Sequence, residues 1–184
     1  TFVASLTGLP WFGSNVGGLL TTVSGFMVFI LLEYGYSIKR ALSLSALAGI
    51  IFFAFIFLAN IIFKEAQSHL GRMADQINVN GAVYFIDVAK RKINMALRLI
   101  KYNIWSRVLL ALTVLTFIVT IKFYDDINKL SKEKSHIKNS CIGAIISSVA
   151  AIAFNDSGIV AAAVIMLYTV FSMAVIFQYR INKR

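Results

Sequence analysis

Asn139–Tyr179 reads NSCIGAIISSVAAIAFNDSGIVAAAVIMLYTVFSMAVIFQY, forty-one residues in which Asp156 is the one charged side chain. Wound as a single helix, Ser140–Tyr179 would reach about 60 Å at 1.5 Å per residue. A bilayer offers only about 30 Å of hydrocarbon. The stretch must therefore tilt, break or cross twice. Asn155-Asp156-Ser157-Gly158 is the place to break, because Asn, Asp, Ser and Gly each favour turn backbone over helix interior. The expected result is a short arm, 141–154, and a full-length arm, 159–178. Non-helical backbone at membrane depth survives only where protein or water surrounds it. The reading is thus a broken or re-entrant helix with Asp156 held inside the membrane. An ionisable group at that depth is a functional candidate by default.

Working outward, the whole chain has the same character. It is 59% hydrophobic with a mean hydropathy of +0.78, well above the norm for soluble domains. The pattern predicts an all-α, multi-pass transmembrane helical bundle of about four spans. Thr1–Phe12 reads as the tail of a membrane helix, and Gly13–Gly18 as a glycine-rich break. Spans are expected at 19–36, 41–63 and 108–124, with Ser37-Ile38-Lys39-Arg40 as a tight basic turn. Asp125–Asn139 reads as a charged connection. Residues 64–107 form a polar insert. Ile86, Ala89, Ile93, Leu97, Ile100 and Ile104 recur in it at helical steps, with basic residues on the remaining arc. That predicts a basic amphipathic helix over 86–104, lying along the membrane surface. The chain has no initiator Met and no signal-peptide pattern, and the expectation is one transmembrane domain, 1–184, that is a fragment of a longer protein.

The net charge is +10, and eight of the eighteen basic residues fall between Lys64 and Arg107. Basic clusters that flank apolar spans point to anionic membrane lipids and not to nucleic acid. Lys90, Arg91, Lys92, Arg98, Lys101 and Arg107 are the expected lipid-binding residues. A lone cysteine, Cys141, excludes an internal disulfide framework and a cysteine-based metal site. No metal and no cofactor is expected. There is no catalytic triad spacing, no GxSxG, no HExxH and no dinucleotide fingerprint, so nothing argues for a self-contained enzyme.

Three short polar groups stand out as candidate substrate-binding residues. Asn155, Asp156 and Ser157 could form a site at a discontinuous helix, or could be a polar turn whose side chains only cap the next helix. Ser68, His69 and Arg72, in Ser68-His69-Leu70-Gly71-Arg72, could contact a phosphate, or could be an ordinary interfacial segment. Asn15, Gly17 and Gly18 could bring backbone N–H groups to an anion, or could be a close-packing turn. No Walker lysine accompanies them.

These three groups, in this order, together with the run from Lys90-Arg91-Lys92 to Trp105-Ser106-Arg107, resemble the C-terminal part of a family of large polytopic membrane proteins from Firmicutes and related bacteria. In that family an alkaline-phosphatase-superfamily-like domain precedes the membrane helices. The resemblance implies a bacterial plasma-membrane location, a phosphate-related setting and an N-terminal phosphatase-like domain as partner. The leading expectation is a module that binds or moves a phosphorylated, lipid-linked envelope substrate beside that domain. A proton- or cation-coupled transporter using Asp156, and a purely structural anchor, are the alternatives.

Overall fold

The computed structural model describes residues 15–62 and 82–181, and these are helical throughout apart from short turns. The helices are α1 (Val16–Glu33), α2 (Ile38–Ile62), α3 (Ala82–Tyr102), α4 (Ile104–Lys122), α5 (Tyr124–Glu133), α6 (Ser135–Phe154) and α7 (Gly158–Ile181). Five of them, α1, α2, α4, α6 and α7, are long and apolar enough to cross a bilayer. The chain is a multi-pass helical membrane protein. Large apolar side chains face outward along the spans, among them Phe26, Ile50, Phe55, Leu110, Phe117 and Phe171.

Small residues decide how the spans meet. Gly17, Thr21 and Gly25 recur every fourth residue on α1, and Gly143 and Ser147 do so on α6. Lipid supplies no hydrophobic drive to bring helices together, so close backbone approach through small side chains must do it. Here α1 and α6 touch backbone to backbone. A Cβ on Gly25 would overlap the Ser147 hydroxyl and come within 2.9 Å of the Gly143 carbonyl oxygen. A Cβ on Gly143 would meet the Gly25 carbonyl oxygen at 2.9 Å. The Ser147 hydroxyl donates to the Thr21 carbonyl at 3.3 Å across the seam. At the far end of α1, the Asn139 amide donates to the Glu33 carboxylate at 2.8 Å. The pairings Gly17–Phe154, Gly25–Ser147 and Glu33–Asn139 make α1 and α6 antiparallel.

The remaining spans are hung from this pair. Tyr34–Ser37 turns the chain into α2. Tyr36 N–H donates to the Leu31 carbonyl and Gly35 N–H to that of Leu32, with Gly35 at φ +80°, which ends α1 in a left-handed cap that suits glycine. The expected basic turn at Ser37–Arg40 is therefore shifted. Ser37 precedes α2, and Lys39 and Arg40 lie in its first turn. Along α2, the Ser45 hydroxyl donates to the Ser24 carbonyl at 3.1 Å. Ala41 is fully buried with Val28 and Leu31.

The break in the last apolar stretch is present at Asn155–Ser157. Its consequence differs from expectation. The first arm begins at Ser135 and not near Cys141, so it has 20 residues, and the second has 24. At 1.5 Å per residue each arm reaches about 30 Å or more. The stretch is a hairpin of two span-length helices, one of the outcomes its length allowed, and five helices among the described residues are candidate spans. The arms are joined by the three residues 155–157 and line one cleft together, residues 138–145 of the first and 166–174 of the second, as antiparallel neighbours do. The expected charged connection 125–139 is also mostly helical, divided between α5 and the start of α6. Asp125 and Asp126 sit in the first turn of α5 and Lys132 in its last, complementing the helix dipole.

Gly25→Leu should destabilise the fold by about 1–3 kcal/mol or more, since overpacked cores lose that much. Gly49→Ala, where the new Cβ meets only Leu20 Cδ2 at 3.6 Å, should be neutral or stabilising by up to about 1 kcal/mol. Unfolding in mixed detergent micelles measures both, and equal behaviour would refute the seam.

Candidate functional site

Gly17 leads from the packing to the site. A Cβ there would meet the Phe154 carbonyl oxygen at 2.6 Å and Asn155 Cα at 2.9 Å. The seam thus sets the N-terminal end of α1 directly against the hairpin tip, and two of the three sequence groups become neighbours. Asn15 caps α1, its side-chain oxygen accepting the Gly18 N–H at 2.8 Å. Gly17 and Gly18 are helical, so the expected open break does not extend through them. Asn155 is extended at φ −98°, ψ 140°, its N–H closing the last turn of α6 on Ala151. Gly158 N–H donates to the Asn155 carbonyl at 3.0 Å. A Cβ on Gly158 would overlap the Ala151 carbonyl, so glycine is what lets α7 turn back this tightly.

The third participant is α3. It runs Ala82–Tyr102, close to the expected amphipathic helix, and carries three faces. Ile86, Ile93, Leu97 and Ile100 form an apolar stripe left uncovered by protein. Lys90, Arg91, Arg98 and Lys101 are exposed. Lys92, Ala96 and Leu99 face the hairpin tip. From that third face the Lys92 ammonium donates to the Phe154 carbonyl at 2.9 Å and lies 3.6 Å from the Asp156 carboxylate. A cation on the last carbonyls of a helix is favourable for the same reason as a C-cap, namely unpaired C=O groups and the dipole. Asp156 therefore turns to Lys92 and not to the first N–H groups of α7.

Asp156 is 62% exposed. Asp156 is thus not enclosed by protein; it stands at the junction of two span-length arms. Asp156 and Ser157 instead line an open groove of about 770 Å³ together with Arg98, Tyr102, Asn103 and Ile104. Asn103 joins α3 to α4 and caps α4 by accepting the Trp105 N–H at 2.9 Å. The Ser106 hydroxyl lies within hydrogen-bond reach of the carbonyls of Leu99, Ile100 and Asn103 and has one hydrogen to share among them, which ties the end of α3 to the start of α4. The groove thus brings one guanidinium, one amide, two hydroxyls and one carboxylate to the start of α7.

Arg107 lies exposed in the first turn of α4. Ser68, His69 and Arg72 lie outside the described residues. Among the described residues no three His, Cys, Asp or Glu side chains cluster as a metal site would need. Sequence reading grouped Lys92 with its basic neighbours, and nothing in Lys90-Arg91-Lys92 marks the third as the one turned inward. The contribution of Asn103 was also missed, although an Asn between two helical patterns is an N-cap signal. No family model, no curated protein and no solved structure matches the chain.

Lys92→Met should loosen α3, raising amide hydrogen exchange over 82–102 by roughly two- to fivefold, as loss of an exposed ion pair and cap of about 0.5–1 kcal/mol would. Asp156→Asn should do less, since Lys92 keeps the Phe154 carbonyl. The reverse order would refute the cap.

Proposed function

We propose that this chain is a module of the bacterial plasma membrane that holds the phosphorylated head of a lipid-linked envelope substrate in the groove between α3 and the hairpin tip. In this reading a phosphatase-like domain, as the sequence resemblance implies, works beside it. The observation that carries the proposal is the position of Arg98, facing Asn103, Ser157 and the start of α7 across one groove at the end of the spans. A guanidinium offers two parallel donors to a phosphate, and a helix start adds favourable dipole. The exposed stripe of Ile86, Ile93, Leu97 and Ile100 would rest in lipid, holding the groove at headgroup height. Lys90, Arg91 and Lys101 would gather anionic lipid around it. Asp156, held by Lys92, would set the tip's geometry.

The transport alternative needs a carboxylate inside the bundle, and an exposed Asp156 at the tip gives it no support.

Binding of a long-chain lipid phosphate, against its dephosphorylated alcohol, to the protein in nanodiscs tests the reading. The phosphate form should bind more tightly, and Arg98→Gln should lose roughly tenfold or more, since hydrogen bonds to charged groups contribute about 1.5–3 kcal/mol. Lys90→Gln should weaken all anionic lipids alike and by less. Unchanged discrimination in Arg98→Gln would sink the proposal.

A further inference from the structure

At the opposite end of the bundle α4, α6 and α7 do not close on one another. They leave a cleft of about 530 Å³, walled by Leu115 and Val119 of α4, Ile142 and Ile145 of α6, and Met166 and Val170 of α7. Three threonines also line it, but their hydroxyls are spent on their own helices. Thr116 donates to the Leu112 carbonyl at 2.7 Å, Thr120 to that of Thr116 at 2.7 Å, and Thr169 to that of Ile165 at 2.8 Å. What they present to the cleft is methyl. The wall is hydrocarbon in effect, flanked by spans.

Water gains little in such a space, since it needs two to four polar partners that this wall lacks, and voids this large are rare in packed proteins. The medium around the spans is acyl chain, and the outer side of α4 (Phe117, Ile118, Ile121) is exposed to it. One end is different. There α5 crosses the cleft with Ile127 and the buried Leu130, and Asp126, Ser131 and Lys138 provide the polar rim. An apolar slot whose rim holds one cation, Lys138, and one carboxylate, Asp126, has the polarity of a phospholipid, with an acyl chain in the slot and a phosphate at Lys138.

We infer that this cleft is a binding site for one acyl chain of a membrane phospholipid, with its phosphate at Lys138. The site is independent of the groove at Arg98 and lies at the other end of the spans. Occupancy would tie α4 to the α6–α7 hairpin.

The test uses the full chain purified in detergent with added phosphatidylglycerol or phosphatidylcholine, read by native mass spectrometry. Wild type should retain one phospholipid of either kind. Val170→Trp, which fills the slot, should reduce retention roughly tenfold or more, the scale on which apolar pockets discriminate small changes in shape. Lys138→Gln should lower retention of both lipids, whereas Lys101→Gln, at the opposite end, should not. Cys141 lines the cleft and is the chain's single cysteine, so it reports independently of any variant's folding. Phosphatidylglycerol should slow its alkylation by a small uncharged maleimide in the wild-type protein. Retention unchanged in a folded Val170→Trp, a Cys141 rate indifferent to lipid, or a dimer mass in place of bound lipid would each overturn the inference.

Discussion

The antiparallel seam between α1 and α6 is the constraint on which the rest is built. In lipid, apolar side chains gain nothing by leaving the solvent, so helices associate through close packing and interhelical hydrogen bonds. Gly25 against Gly143 and Ser147 supplies the approach, and the Ser147–Thr21 bond supplies the polar contact. Because the seam is antiparallel and continuous, its register also decides what lies at its end. Gly17 comes against Phe154 and Asn155, and the start of one helix meets the turn between two others. A shift of one helical turn would separate these groups by about 5 Å, one helical pitch.

The surface helix α3 is held by a different kind of interaction. Its apolar stripe is not covered by protein, so packing alone does not fix it on the bundle. Lys92 does part of that work by bonding the Phe154 carbonyl and pairing with Asp156. The pair is exposed, and its strength is correspondingly modest. Asn103 and Ser106 complete the corner by capping α4 and tying the end of α3 to its start. The groove therefore has one rigid wall, the hairpin tip, and one wall that a few polar contacts hold in place.

Polarity is divided between the two ends of the bundle. The Asp156 end gathers Arg98, Asn103 and Ser157 around an open groove, where we propose that a headgroup sits. The Lys138 end has a methyl-lined slot, where we propose an acyl chain. Between them the spans present apolar side chains outward, as a surrounding solvent of hydrocarbon requires.

The helical class, the break at Asn155–Gly158 and the amphipathic pattern of α3 were legible in the residues, because composition, turn chemistry and periodicity are local properties. The length of the hairpin's first arm was not. It hinged on α6 starting at Ser135, inside a polar segment whose Lys134 gives no strong cap signal. Nor could a string of residues show that Lys92 alone of its run turns inward, or that Arg98 would face Ser157. Those facts depend on helix register and on the close approach that glycines at 17, 25, 143 and 158 allow. Sequence thus determined the solvent, the secondary structure and where the chain turns. Tertiary packing decided which polar residues meet, since contact between distant segments is set by how closely backbones can approach.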